Sequence, residues 1–248
     1  MEPIAPGTPK QPVVPGAAGI ALRARLALTA TAVNASGARL WRPEGLASRY
    51  AEYLAVMHGV VRASVPLMER AAARCGDLGP HDQVAAPLER YLRTHIEEER
   101  DHDDWLLADL LALGADAGAV VAEQPSPAVA RLTGAAYYWV EHHHPVALLG
   151  YIAVLEANAP APWLAERIAA AGVPRDALRT VREHAVLDGD HTHALFALLD
   201  ALPLTPVLRR AVTTSALHTV DGLAGLLTRI GRAPHRPHHR TRGGTHLS

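Results

Sequence analysis

The chain has 248 residues, 49% of them hydrophobic, so it can bury a sizeable core in one medium-sized domain. Residues 1–40 and 232–248 are basic, and the segment between them carries the acidic excess, a net charge of −8. That sign argues against a nucleic-acid-binding domain, and no apolar run is long enough for a membrane span. A single cysteine, Cys75, excludes an intramolecular disulfide and favours a cytoplasmic location.

The two ends of the chain differ in composition from the middle. Five prolines fall within the first fifteen residues, which prevents a regular helix there. We predict a Pro-rich disordered N-terminal arm over residues 1–42, a folded domain over 43–231, and a basic, His- and Arg-rich disordered tail over 232–248.

The folded domain is predicted to be all-α. Alanine and leucine dominate its apolar positions, glycine and proline mark the segment boundaries, and almost no strand pattern is visible. Seven helices are predicted, over residues 44–75, 81–113, 126 to the corner at 142–145, 146–158, 163–171, 175–202 and 206–230.

One chemical pattern, His-x3-acid-x2-His, occurs twice. It is formed by His95, Glu99 and His102 in the second predicted helix and by His184, Asp188 and His191 in the sixth. Positions i, i+4 and i+7 lie within roughly 60° of one another around a helix, so each pattern presents one stripe. Mixed imidazole and carboxylate ligands suit iron or manganese, and a carboxylate can bridge two ions. The parallel between the two patterns favours Glu99 over its neighbour Glu98 as the ligand.

A further acidic side chain points to the same site. Glu156 is the only acid in the strongly apolar segment 146–158. Burying an unpaired carboxylate is expensive, so this residue needs a cationic partner. We therefore expect Glu156 to be a metal ligand.

The first predicted helix offers further candidates for a metal ligand and for the substrate pocket. Glu69 is the better ligand candidate there, and Glu52 stays open as an alternative. His58 lies eleven residues before Glu69 and Arg62 seven before it, so all three share a face of one continuous helix. His58 and Arg62 are expected to line the substrate pocket, with Arg62 holding a substrate carboxylate.

Over residues 45–230 these features resemble the haem-oxygenase-like diiron oxidases, the iron-containing redox enzymes. The most specific part is the pattern of the sixth helix, followed by the segment from Glu98 to Asp109 and by Gly150-Tyr-x4-Glu156. The resemblance implies a seven-helix haem-oxygenase-like bundle. The metal ligands it implies are Glu69, Glu99, His102, Glu156, His184, Asp188 and His191, with His95 beside them as a supporting residue.

The resemblance also implies a function. We expect a non-haem diiron oxidase or oxygenase that holds two Fe(2+) per chain, the second more weakly, and uses O2 as co-substrate. The first iron is expected at Glu99, His102 and His191, and the second at Glu156, His184 and Asp188 with Glu69 nearby. The substrate is expected to be a small molecule derived from an amino acid, amine or fatty acid, changed by N-oxygenation or oxidative C–C cleavage in specialised metabolism. An external electron donor and a homodimer are the expected partners.

Three alternatives stay open. A ferritin-like carboxylate bundle would use Glu and Glu-x2-His pairs on four helices, but it has no place for His184. A second alternative is a metal-free protein on the same scaffold, either thiaminase-like or small-molecule-binding; the thiaminase-like enzyme would need a reactive cysteine, for which Cys75 is poorly placed. A regulatory protein whose basic ends dock elsewhere is a third, non-enzymatic reading.

Overall fold

The computed structural model describes residues 16–232, without the side chains of Ala17 and of residues 188–190. Within that range all the regular secondary structure is helical, which confirms the all-α prediction. It contains eleven α-helices: α1 Ala17–Leu40, α2 Leu46–Val61, α3 Ser64–Leu78, α4 Ala85–Glu99, α5 His102–Ala112, α6 Ala117–Ala122, α7 Pro127–His142, α8 Leu148–Glu156, α9 Leu164–Ala170, α10 Arg179–Ala201 and α11 Pro206–Arg232. Short 3-10 turns precede α8 at Pro145–Ala147 and α10 at Arg175–Ala177.

The prediction of a disordered N-terminal arm is wrong for most of residues 1–42. Residues 17–40 form the 24-residue helix α1, which begins after Gly16 in the left-handed region at φ 86°. Its alanines and leucines favour a helix, and Leu22, Val33 and Leu40 are buried against the rest of the fold. The prolines that suggested disorder, and the predicted tail beyond Arg232, lie outside the described residues.

The first predicted helix is two helices. α2 ends at Val61 and α3 begins at Ser64, with Arg62 and Ala63 between them. Pro66 explains the break, because proline donates no backbone N–H and its ring would clash with the carbonyl of Arg62 in a continuous helix. Helix faces assigned by counting residues through one continuous helix over 44–75 therefore do not hold for side chains after the break.

The second predicted helix is also divided, at the residues that join two candidate ligands. α4 ends at Glu99 and α5 begins at His102. Between them Asp101 adopts φ 65°, the only non-glycine residue of the described chain with a positive φ. Such a conformation costs free energy in an L-residue and is most often found at functional sites.

The buried apolar side chains form two clusters. The larger is built by α1, α3, α4, α7, α8, α11 and the end of α10, and the smaller by α2, α5, α9 and the start of α10. Along α10, Val181 belongs to the smaller cluster and Leu195 to the larger one. His184 and His191 lie between those two residues, so the polar site sits where the clusters meet.

The close approach of α8 to α11 depends on one glycine. A Cβ atom on Gly150 would lie 2.1 Å from the carbonyl oxygen of Val212 and 2.7 Å from the amide nitrogen of Ala216. Only glycine leaves room for that backbone contact. Glu156 is at the other end of the short helix α8, so this packing also sets where its carboxylate lies.

No helix in the described part of the chain is long and apolar enough to cross a membrane.

Candidate metal centre

Six potential ligand side chains converge at the junction of α4, α5, α8 and α10. One group contains His95, Glu99, Glu156 and His191, and the other contains Glu99, His102 and His184. Within each group the ligand atoms all lie within 4.8 Å of one another. These side chains are buried or nearly so, which is unusual for carboxylates and indicates that they compensate one another or a cation.

Glu99 belongs to both groups, and its two oxygens face in different directions. Its Oε1 lies 3.4 Å from His191 Nδ1, in the first group. Its Oε2 lies 3.2 Å from His102 Nδ1, in the second group. A carboxylate placed in this way is able to bridge two metal ions.

Each group contains one pair of histidine rings in edge-to-face contact. His95 and His191 have ring centroids 4.9 Å apart at an interplanar angle of 88°. His102 and His184 have centroids 5.1 Å apart at 73°. In both pairs one histidine comes from α4 or α5 and the other from α10, so the site depends on how these helices pack.

Two ligand atoms in the first group have no hydrogen bond. Glu156 Oε2 and His191 Nδ1 are buried and lie 3.4 Å apart, without hydrogen-bond alignment to each other or to any described group. Unsatisfied buried polar atoms are costly. A cation bound between them would satisfy both, and nitrogen and carboxylate donors together suit iron. The donor set therefore fits a metal ion.

The electrostatics of the first group are strongly coupled. The Glu156 carboxylate, with Glu99 and Glu98 nearby, raises the pKa of His191 to about 9 in spite of burial. Burial alone would lower the pKa of His95, but Glu156 and Glu99 outweigh it and the pKa is raised. Burial alone would raise the pKa of the Glu156 carboxyl, but His191 and His95 outweigh it, so this pKa is lowered. A metal bound in this group would have to displace protons.

The outward nitrogens of the histidines have their own partners. Glu98 Oε2 lies 3.2 Å from His95 Nδ1 and 3.7 Å from His191 Nε2, so a single carboxylate faces the outer side of both rings. In the second group His184 Nδ1 donates to the carbonyl oxygen of Thr180 at 2.9 Å. Such partners fix the ring orientation and leave the inward nitrogen free for a metal. Burial lowers the pKa of His184, which keeps that nitrogen unprotonated.

A cavity of about 540 Å³ opens beside the ligands. His95, Glu99, Glu156 and His184 form its polar end. Most of the remaining wall is apolar, with contributions from α1, α2, α3, α8, α9 and α11, and the arginine found in the described wall is Arg167. Apolar walls around a few convergent polar groups are typical of small-molecule sites. The helix α1 that the sequence analysis missed is therefore part of the pocket.

The candidates from the first predicted helix are not at the site. Glu69 and its alternative Glu52 are exposed and belong to neither ligand group. Arg62 is exposed and makes a long hydrogen bond, 3.4 Å, to the carbonyl oxygen of Val121. His58 is buried but does not line the cavity, and burial lowers its pKa. The prediction for Glu69 fails because the break after α2 changes the direction in which later side chains point.

The structure also changes the grouping of the other ligands. His191 lies with Glu156 and His95, and His102 lies with His184, a grouping that differs from the predicted division between two irons. His95 was expected only to support Glu99, yet it is a member of the first group. The sequence signal for this role is that His95, Glu99 and His102 have the same spacing as His184, Asp188 and His191. Asp188 lies outside the described side chains, and its role as a ligand stays a prediction.

Cys75 has the environment of a structural cysteine. It is 2% exposed in the larger hydrophobic cluster, and burial raises the pKa of its thiol to about 12. A nucleophilic cysteine needs an accessible thiolate. This observation argues against a thiaminase-like use of the residue.

Solved structures share the architecture at low sequence identity. A domain of unknown function with a heme oxygenase-like fold from Shewanella denitrificans has a TM-score of 0.71 and 16% identity over 85% of this chain and 90% of its own. A TenA homolog from Pseudomonas syringae has a TM-score of 0.62 and 12% identity over 92% and 99%. A CADD-like protein of unknown function from Nostoc punctiforme has a TM-score of 0.61 and 17% identity over 86% and 95%. The fold is therefore haem-oxygenase-like, as predicted, although the described chain has more than seven helices.

Sequence comparison gives the family. No curated protein matches the chain. The family model described as "Iron-containing redox enzyme" matches residues 51–223, which include all six ligand candidates brought together in the fold. The chain therefore belongs to the iron-containing redox enzyme family.

Proposed function

We propose that this protein is a non-haem diiron oxidase or oxygenase that uses dioxygen to oxidise a small molecule. The observation that carries the proposal is the position of Glu99, which directs one oxygen to each of two ligand groups. A mononuclear site would need only one of these groups. Membership of the iron-containing redox enzyme family supports iron as the metal.

Each ligand group would hold one iron. The first would use His95, Glu99, Glu156 and His191, and the second Glu99, His102 and His184. When bound, a pair of ferrous ions supplies the electrons and open coordination positions needed to reduce dioxygen. The second group supplies fewer described ligands than the first, which is consistent with a second iron that is held more weakly.

The chain itself would bind the substrate and exclude water. Four of the ligand candidates line the cavity, so a molecule inside it would lie beside the metals. Its apolar walls favour a substrate with a substantial hydrocarbon part, whether derived from an amino acid, an amine or a fatty acid. Arg167 takes the role that we had expected for Arg62, as the cationic group available to a substrate carboxylate. Electrons beyond those of the substrate would come from an external donor.

The test is anaerobic loading with ferrous iron, counted per chain and followed by mixing with oxygen. We expect about two irons per wild-type chain and a transient visible absorption after mixing. His191→Ala removes a ligand of the first group and should lower the count and abolish the transient. Glu69→Ala is the matched control, because Glu69 is exposed and belongs to neither ligand group, and it should behave as wild type. A wild-type protein that binds no specific iron would refute the proposal.

A further inference from the structure

The N-terminus of α10 is capped by a side chain from another helix. The first turn of an α-helix leaves its backbone N–H groups without partners, and α10 has no capping side chain of its own. Asp109 of α5 supplies the missing capping side chain. Its Oδ1 accepts from Arg179 N at 3.0 Å, and its Oδ2 accepts from Thr180 N at 2.9 Å.

This carboxylate is completely buried, with 0% of its surface exposed. Burial raises the pKa of Asp109, while the two backbone hydrogen bonds and Arg179 act in the opposite direction. The two N–H groups and the Arg179 charge thus offset part of the cost of burying this acid, and the acid in turn satisfies the helix end. The contact fixes the start of α10 against α5.

The same two helices carry the histidines of the second ligand group. Asp109 is seven residues after His102 on α5, and Thr180 is four residues before His184 on α10. Spacings of seven and four return to the same helix face. The Asp109 contact and the pair of histidine rings therefore lie on one shared interface between α5 and α10, with centroids of the rings 5.1 Å apart.

The peptide groups of Thr180 connect the cap to the ligand. The Thr180 N–H donates to Asp109, and the Thr180 carbonyl accepts from His184 Nδ1 at 2.9 Å. Trp105 fills the space beside these groups, with its ring centroid 3.9 Å from that of His102 and 4.7 Å from the guanidinium carbon of Arg179. A displacement of the first turn of α10 would therefore move His184 directly.

We propose that Asp109 is a positioning residue for the second metal subsite, because it sets the separation of His102 and His184. The proposal rests on the two-metal centre proposed above. The first group takes its ligands from α4, α8 and the middle of α10, and none from α5. Loss of the cap should therefore weaken the second subsite selectively.

The experiment compares Asp109→Asn with wild type by anaerobic titration with Co²⁺, whose visible absorption reports each bound ion. Asparagine keeps the shape of the side chain but replaces one of the two acceptor oxygens by an NH2 group, which would face one of the two N–H donors. We expect the Co²⁺ affinity of the second subsite to fall about tenfold or more, as for other residues that orient metal ligands. The first subsite should keep its affinity, which also shows that the variant is folded.

Asp82→Asn is the matched control. Asp82 also caps a helix, but one that carries no histidine of the second group: its Oδ1 accepts from Val84 N and Ala85 N at the start of α4, thirteen residues before His95, and its Oδ2 lies 3.2 Å from His144 Nε2. It should leave both subsites unchanged. If Asp109→Asn weakens neither subsite, or weakens both equally, the positioning role is wrong. If wild type binds only one Co²⁺, the two-metal proposal itself fails, and the two failures are thereby distinguished.

Discussion

Two neighbouring glutamates have different surroundings and should have different roles. The Glu99 side chain is 11% exposed and faces both ligand groups, whereas the Glu98 side chain is 48% exposed and faces the outer nitrogens of His95 and His191. A carboxylate that accepts from a ligand imidazole makes that imidazole a better donor to the metal. Glu98 should therefore support the first subsite without binding the metal.

Glu98→Gln tests this role. The neutral amide is a weaker partner for the two histidines, so we expect the metal affinity of the first subsite to fall by about 10- to 100-fold. The second subsite should be less affected, since neither His102 nor His184 contacts Glu98 in the described structure. Titration with Co²⁺ under anaerobic conditions measures both affinities.

Glu97→Gln is the control for that substitution. Glu97 is the preceding residue, is 69% exposed at its side chain, and pairs with Arg100 rather than with a histidine. It should bind both ions as wild type does. Equal losses in Glu97→Gln and Glu98→Gln would mean that only the general negative charge near the site matters.

Most of the residues that sequence could identify have a spacing that stays within one helix, although His102 was identified as well and follows the break at Asp101. His95 and Glu99 lie on α4, and His184 and His191 lie on α10, so their i, i+4 or i+7 relation survives in the fold. Glu156 was identifiable because it is a lone acid in an apolar helix. The grouping into two subsites could not be read from the spacing, because it depends on contacts between helices.

At the scale of elements, breaks in the helices decide which side chains reach the site. The turn at Asp101 redirects the chain, so that His102 faces His184 while His95 faces His191. The break before α3 turns Glu69 to the surface. Pro66 is a sequence signal for the break before α3. Nothing in the sequence signals the left-handed conformation of Asp101, since aspartate also occurs inside helices.

Gly150→Ala tests the packing of the helix that carries Glu156. The added methyl group would meet the backbone of Val212 and Ala216 on α11, and backbone cannot move aside cheaply. We expect the free energy of unfolding to fall by about 1–3 kcal/mol. Because α8 would shift, iron bound by the first subsite should fall as well. Chemical denaturation and iron counting measure the two effects.

Gly134→Ala is the matched control on α7. A Cβ at that position would meet nothing within 4 Å, and the residue is exposed in a helix interior. Alanine there should stabilise the protein by about 0.5–1 kcal/mol and leave the iron content unchanged. If both alanine variants behave alike, the close approach of α8 to α11 is not what limits substitution at Gly150.

At the scale of the whole molecule, the site joins two hydrophobic clusters. The ligands on α4 and α8 come from helices of the larger cluster, those on α5 from the smaller, and α10 runs through both. The sequence predicted one helical domain correctly as a fold class, but α1, which closes the pocket, was hidden by the proline-rich residues before it. Its stability depends on contacts with the core that composition does not report.

Metal binding should accordingly stabilise both clusters together. A ligand that binds only the folded state adds about 2.7 kcal/mol for each ion at a free concentration of about a hundred times Kd. Under anaerobic conditions, Fe(2+) should therefore slow hydrogen exchange in α5 of the smaller cluster and in α4 and α8 of the larger one. Helix α7, which contributes no ligand among the described residues, is the internal reference and should change only as far as global stability does.

The variant His102→Ala makes this last expectation specific. It removes a ligand carried by α5 and leaves the four ligand candidates of the first group in place. With Fe(2+) bound at the first subsite, α4 and α8 should still gain protection, while α5 should lose the part that wild type gains. Protection of α5 that is the same in wild type and His102→Ala would show that iron does not connect the two clusters, and that their contact is maintained by apolar packing alone.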